Sequence, residues 1–482
     1  MRFSLVALAP LLFCFHCGEE EEATPKSPVE NERDAEVETP LEDGGTDAAD
    51  ATTEDPSAFP QALDQIDLGT VDGDAEITFE LPANVAGFQI VAKRAEDNTP
   101  FSVASLISPK GNAVIQSGQL NGVGKDVDES LSTTTTATTV PQHDTADGLA
   151  PPAGTWKLRL RNAGGDVNVR VLLRRTADGK PKSGVLDLKV YIPQGLQLDD
   201  ETISVDSAET SAPVQDRLAS FDEQIEKLYG VRLGRVRYAS MPARFRALEE
   251  SFFDAGRRTS GDGRVLHLIL SEETNYFWGI AGGIPGAIGT SGVENSVFAL
   301  SSLWRQLGEG GSYEGVRHFE GHVLAHEMGH FLGLFHTTEL DGSEADPLDD
   351  TPRCTDISEN DLESCPDYDN IMFGSSTDPF PTASPLQKRV VQGSSLLRGF
   401  SLAGANAMRR PPRTVQPGFL FHAPGKPLDT AQRMVVAAST CGVGAHGMPK
   451  PNATTRVELA RIAADASLPQ LFRNTAQRIL AQ

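Results

Sequence analysis

The sequence predicts a multidomain protein in which an all-β sandwich is followed by an α+β domain and then by a mostly helical C-terminal segment. Three observations predict it. At 482 residues the chain exceeds one ordinary domain of roughly 100 to 200 residues. Short alternating apolar runs separated by Gly, Pro and Asn turns fill the stretch after residue 60. From about Ser183 strand-like and helix-like patterns alternate instead, which marks a new domain.

The first residues, MRFSLVALAPLLFCFHCG, carry one basic residue, an apolar run from Phe3 to Phe15, then Cys17, Gly18 and a block of four Glu. Residues 1–17 read as an export signal, since the run is shorter than the ~20 apolar residues that span a bilayer. A cysteine directly after the run resembles the lipobox of bacterial lipoproteins, although His16 stands where Gly or Ala is usual. That resemblance implies lipidation at Cys17, membrane attachment and an outer-membrane or cell-surface lipoprotein; simple secretion is the alternative. Residues 18–60 are mostly Glu, Asp, Ala, Thr and Pro, too poor in apolar groups to offset the entropy of ordering, and read as a disordered acidic linker. A net charge of -25 with 6% aromatics argues against nucleic acid as a partner, because phosphate binding needs a basic face.

Residues 61–180 form the expected sandwich, with runs at Glu76 to Leu81, Gly87 to Val91 and Trp156 to Leu160. The pair Ser108-Pro109-Lys110-Gly111 and Gly154-Thr155-Trp156-Lys157-Leu158 is similar to the jelly-roll accessory domains of exported bacterial peptidases, which are like proprotein convertase P-domains. The Ser/Thr/Asp/Gly-rich stretch from Gly122 to Gly148 reads as an inserted surface loop.

Residues 183–395 form the α+β domain, with strands at Val185 to Ile192, Leu233 to Tyr238 and Val265 to Leu270, and a helix from Val214 to Leu228. A Gly-rich stretch at Gly279 to Gly286 lacks the Gly-Lys-Ser/Thr ending of a phosphate loop. Ser296 to Leu300 after it is expected to be the edge strand of a cleft. Residues 396–482 open on a Pro/Arg-rich stretch at Arg409 to Arg413 and close on a helical pattern from Thr454 to Leu480, with no function assigned. Of the five cysteines, Cys14 and Cys17 lie in the signal region and Cys441 stands alone. In an oxidising compartment Cys354 and Cys365 are the natural disulfide; two free thiols are the alternative.

Residues 326 to 336 read His-Glu-Met-Gly-His-Phe-Leu-Gly-Leu-Phe-His. On a helix, positions i and i+4 share a face, so His326 and His330 can present imidazoles to one zinc ion with Glu327 beside them. Gly333 can take the left-handed conformation that ends a helix, and the turn returns His336 as third ligand. Three neutral imidazoles leave one tetrahedral position open, the arrangement of a catalytic zinc, and Glu327 is placed as general base. His318 and His322 continue the series upstream, but each turn rises ~5.4 Å, so both are read as non-ligands. Val323, Leu324, Met328, Phe331, Leu332 and Phe335 supply the core-facing stripe.

His-Glu-x-x-His-x-x-Gly-x-x-His is the zinc signature of the metzincin clan, and the segment after it resembles the pappalysin-type families: an acidic loop, Asp350-Thr351-Pro352, Cys354, Cys365 and Asn370-Ile371-Met372. The resemblance implies a zincin-like catalytic domain over residues 183–395, with Met372 as the Met-turn residue packed beneath the zinc without ligating it. Gly374 stands where such families often have Tyr. The implied function is an exported zinc-dependent endopeptidase acting on proteins or peptides. The alternative is a non-catalytic exported adhesin or binding lipoprotein that keeps the metzincin scaffold. The acidic loop raises a second metal, since carboxylates suit calcium, with Asp346, Asp349 and Asp350 as ligands; a solvated acidic loop is the other reading.

Overall fold

The computed structural model describes residues 59–95, 100–120, 125–127, 134–148, 150–199, 201–248, 252–259, 261, 263–272, 279–292, 296–300, 313–339, 344–355, 364–374, 381–399, 453–464 and 480. The expected export signal, Cys17, nearly all of the acidic linker, Cys441 and the Pro/Arg-rich stretch lie outside the described residues. The chain divides into Met1–Ser57 and Ala58–Gln482, and all the described residues belong to the second unit.

Nine strands open it: β1 (Gln65–Asp72), β2 (Ile77–Leu81), β3 (Val85–Lys93), β4 (Ser102–Ile107), β5 (Ala113–Gln116), β6 (Gln119–Leu120), β7 (Thr135–Val140), β8 (Gly154–Arg161) and β9 (Asp166–Arg175). They form two antiparallel sheets, in the orders β1-β9-β3-β7 and β2-β8-β4-β5-β6. Period-2 alternation decides which side chains enter the core: Ile77, Phe79 and Leu81 of β2, and Trp156, Leu158 and Leu160 of β8, are buried while their neighbours are not. Phe88 sits edge-on to both Phe79 and Trp156 at the centre. The Trp156 Nε1–H donates to the Pro152 carbonyl at 3.0 Å, which satisfies the one polar atom of that ring.

The stretch read as a surface loop contains β7, a correction to the sequence reading. Thr135, Thr136, Thr138 and Thr139 are buried in it. Threonine is β-branched and fits a pleated strand, and here its hydroxyl counted as a loop signal while its shape decided the outcome. The sheet holding β7 also turns apolar groups outward: Val91, Ala137 and Leu172 belong to the same core cluster as the strands and helices C-terminal to the sandwich.

Those elements are β10 (Gly184–Pro193), β11 (Leu196–Leu198), β12 (Glu201–Ile203), α1 (Val205–Ala208), α2 (Ala212–Tyr229), β13 (Val231–Met241), α3 (Phe252–Arg257), β14 (Leu266–Ser271), β15 (Gly279–Ala281), β16 (Ser296–Leu300), α4 (Tyr313–Phe331) and α5 (Pro385–Gln392). Five strands make one sheet in the order β13-β10-β14-β16-β15. All its pairs are parallel except β15 with β16. β10 and β14 are buried along nearly their whole length because both of their faces are covered, and apolar residues dominate them apart from Asp187, Lys189 and His267. Ser296 to Leu300 is a strand as expected, but it is internal. Among the described residues the edge position belongs to Gly279–Ala281, which a glycine-rich composition disguises as loop. Helix α2 is tied to α4 through buried Arg217, whose Nε donates to Glu320 and whose Nη2 donates to Asp199 at 3.2 Å. The Arg217–Glu320 pair ties α2 to α4, the helix that carries the histidines. Near the C-terminus, Ala453–Ala464 is helical, and the remainder of the expected helix up to residue 479 lies outside the described residues.

Candidate metal centre

Helix α4 places His326 and His330 one turn apart on its buried face. The helix stops where Gly333 adopts φ +107°, with its N–H donating to the His330 carbonyl and the Leu334 N–H donating to the Gly329 carbonyl, each at 2.9 Å. A side chain at 333 would be strained at that φ, and its Cβ would lie 2.7 Å from Thr139 Cγ2. The reversal carries His336 back toward the helix.

The three imidazoles converge. Nε2 of His330 is 3.0 Å from Nε2 of His326 and 3.0 Å from Nε2 of His336, and the remaining pair is 3.2 Å apart. On the far side of each ring, Nδ1 of His326 meets the Ile371 carbonyl at 2.6 Å and Nδ1 of His330 meets the Leu334 carbonyl at 2.7 Å. A carbonyl only accepts, so both Nδ1 atoms carry the hydrogen, and in a neutral ring Nε2 is then a bare lone pair. Burial, reinforced by His336, pushes His326 down to about 3, and burial holds His330 well below the usual imidazole range. Such rings cannot hydrogen-bond to each other through Nε2. Lone pairs face one another and repel unless a cation lies between them. Tetrahedral zinc with Zn–N of ~2.0–2.1 Å has nitrogen-to-nitrogen edges of about 3.3 Å, a few tenths from the observed spacing. The residues therefore fit zinc.

Glu327 is buried beside this cluster, and burial pushes its carboxyl up to about 8 against the opposing effects of His336 and the Ala281 N–H of β15. A cation among the histidines acts in the opposite direction and favours the carboxylate.

Met372 is fully buried, with its sulfur 2.5 Å from where a Cβ on Gly329 would stand and 3.7 Å from the Tyr229 hydroxyl. It therefore lies under the turn of α4 that joins the two helical histidines. Its loop is fixed by neighbours: the Met372 N–H donates to Asn370 Oδ1 at 2.9 Å, and Asn370 exchanges amide hydrogen bonds with Gln387 of α5 at 3.0 and 3.1 Å. Cys354 and Cys365 are disulfide-bonded and pack on Phe373.

The carboxylate oxygens of the three aspartates read as calcium ligands do not all lie within 4.8 Å of one another. Asp346 is buried, accepting from Thr351 Oγ1 and the Leu348 N–H. Asp350 accepts from Ser384 Oγ at 2.7 Å and the Leu386 N–H at 2.8 Å, both at the start of α5. Asp349 is exposed and donates its N–H to Asp144. Among the described residues, the groups of three ligand-type side chains within 4.8 Å are the three histidines and a second set, Cys354, Cys365 and Asp367, whose sulfurs form the disulfide. His322 is buried and outside both groups, and the side chain of His318 lies outside the described residues.

Two residues of the site escaped the sequence reading. Glu339 Oε2 accepts from His336 Nδ1 at 2.9 Å, and Lys125 reaches the same carboxylate from the sandwich, its Nζ 3.7 Å from Oε1. Burial opposes ionisation of Glu339 but is outweighed by His336 and Lys125, which hold it down at about 2. A carboxylate three residues after the third histidine was a readable signal for Glu339; nothing local marked Lys125.

No curated protein matches the chain. Among solved structures, one similar chain is mature mirolysin of Tannerella forsythia in complex with a cleaved peptide, at 14% identity and a TM-score of 0.27, covering 44% of this chain and 90% of that one. Residues 312–373 match the metallopeptidase family described as Pregnancy-associated plasma protein-A, and His326, Glu327, His330, His336 and Met372 all fall inside that segment.

Proposed function

We propose that this chain is an exported zinc-dependent endopeptidase of the metzincin type, with His326, His330 and His336 as ligands and Glu327 as general base. The observation that carries the reading is the convergence of three Nε2 atoms, 3.0 to 3.2 Å apart, beside a buried carboxylate on the same helix. Zinc bound there would supply Lewis acidity to the scissile carbonyl and to the attacking water.

The chain's own groups do the rest. Glu327 Oε takes the proton of the attacking water and passes it to the leaving amine, a role worth typically 10²- to 10⁴-fold in rate. β15 is the last strand of its sheet among the described residues, and an extended peptide adding along it would bring its carbonyls past Glu327. The Nδ1 partners of the three histidines hold each ring in one tautomer and orientation. Met372 supplies an apolar floor.

Export rests on the N-terminal apolar run, and lipid attachment at Cys17 on its position directly after that run. A disulfide at Cys354 and Cys365 suits an oxidising compartment. The test is cleavage of unfolded casein and a mixed peptide library by the purified chain and by Glu327→Ala. Cleavage that disappears on zinc chelation and in the variant supports the reading. Equal cleavage by Glu327→Ala removes the general base from the mechanism.

A further inference from the structure

We infer that Lys125 of the β-sandwich is a positioning residue for the metal centre, acting through Glu339 on His336, so that the sandwich forms part of the site. The inference rests on the three histidines being the zinc site.

The three histidines are not held alike. His326 and His330 stand on a helix and donate to backbone carbonyls of their own domain. His336 stands on a loop beyond the helix and its side chain is 20% exposed, the most exposed of the three. What orients it is the Glu339 carboxylate. A side-chain carboxylate has rotamer freedom that a helix-terminal carbonyl lacks, so its usefulness as an anchor depends on what fixes it in turn.

Lys125 does so. Its Nζ is 2.7 Å from Glu344 Oε2 and 3.7 Å from Glu339 Oε1. The Glu339 N–H donates to the Glu344 carbonyl at 2.9 Å, so the ammonium bridges both ends of the loop that leaves His336. The lysine is itself anchored. Its carbonyl accepts from the Leu120 N–H at 3.0 Å, Val127 two residues on is buried in the sandwich core, and Nζ stands 5.0 Å from the centroid of Phe335, the residue before His336. The Lys125 side chain is only 4% exposed. An ammonium taken out of water to this extent needs charged partners, and the acidic loop supplies them. Lys125 thereby holds the Glu339 carboxylate in place against His336 Nδ1, which keeps the His336 Nδ1–H directed away from the metal and the Nε2 lone pair toward it.

The experiment is zinc affinity of the purified chain by chelator competition, with thermal unfolding of each metal-free form alongside. The variants are Lys125→Met, Lys125→Arg, Glu339→Gln, the double variant Lys125→Met/Glu339→Gln, and Lys157→Met as an exposed lysine of the same sandwich. Lys125→Met is expected to bind zinc about tenfold more weakly, in line with the outer-partner range. Lys125→Arg, which keeps the charge, and Lys157→Met should stay near the parent. In the Glu339→Gln background Lys125→Met should add no further loss, which a merely structural lysine would not produce. Lys125→Gln takes the place of Lys125→Met should the latter not fold. Parent-like affinity in Lys125→Met, or losses that add in the double variant, overturns the inference while leaving the zinc site intact. A parent that binds no zinc overturns the metal reading itself.

Discussion

The Nδ1–H of His326 donates to the carbonyl oxygen of Ile371 across 2.6 Å, which joins helix α4 to the loop that places Met372 beneath it. Helix and loop are thus one packed unit, reinforced by the Thr337 N–H donating to the Met372 carbonyl at 2.9 Å. Damage to one should be felt by the other.

Met372→Ala removes a fully buried side chain that touches Gly329 and Tyr229. The expected loss is about 2–5 kcal/mol in urea unfolding of the metal-free protein. Met372→Leu, close in volume, should cost under about 1.5 kcal/mol. A loss below that limit in the alanine variant would mean that Met372 is not a packed floor.

Gly333→Ala forces a side chain onto φ +107° and against Thr139 of the sandwich. We expect a lower urea midpoint, by about 1–2 kcal/mol from backbone strain, together with weaker zinc binding because His336 depends on that turn. Gly399→Ala, where a Cβ meets nothing within 4 Å, is the matched control and should behave as the parent.

Acid should destabilise the fold through His267. Burial, with Lys189 as a smaller contributor, pushes it down to about 3, and its Nδ1 is 2.9 Å from the Tyr191 hydroxyl. The unfolded chain titrates near 6.5 and so binds more protons than the fold between about pH 6.5 and 3. Stability from this group is therefore full above pH 6.5 and lost as the pH falls. At pH 5 the loss is about 2 kcal/mol. Urea midpoints of the parent and His267→Phe from pH 8 to 5 check this: the variant should lose less on acidification, and parallel curves would refute it.

Much of the site was legible because its chemistry is local. His326, Glu327, His330, Gly333 and His336 span eleven positions of one helix and one turn, where spacing alone determines which side chains meet. Strands β10 and β14 were legible for a related reason, since burial on both faces leaves short segments dominated by Val, Leu and Ile. Other features depend on partners distant in sequence. Thr135 to Thr139 look like loop until a neighbouring sheet covers them. Gly279 to Ala281 has no pattern of its own and becomes a strand only by pairing with β16. Lys125 meets Glu344 across 219 positions, and no periodicity carries that distance. Of the aspartates near the site, Asp350 is engaged at the start of α5, a role that composition cannot separate from metal binding.

The most direct test is the zinc content of the purified chain after equilibration with zinc and removal of excess, measured for the parent and for His330→Ala. One zinc per parent chain is expected, and none retained by the variant at the same free zinc concentration, since His330 Nε2 is the atom nearest both others. Equal zinc in the two proteins would contradict that expectation, because the metal would then be held somewhere other than among His326, His330 and His336.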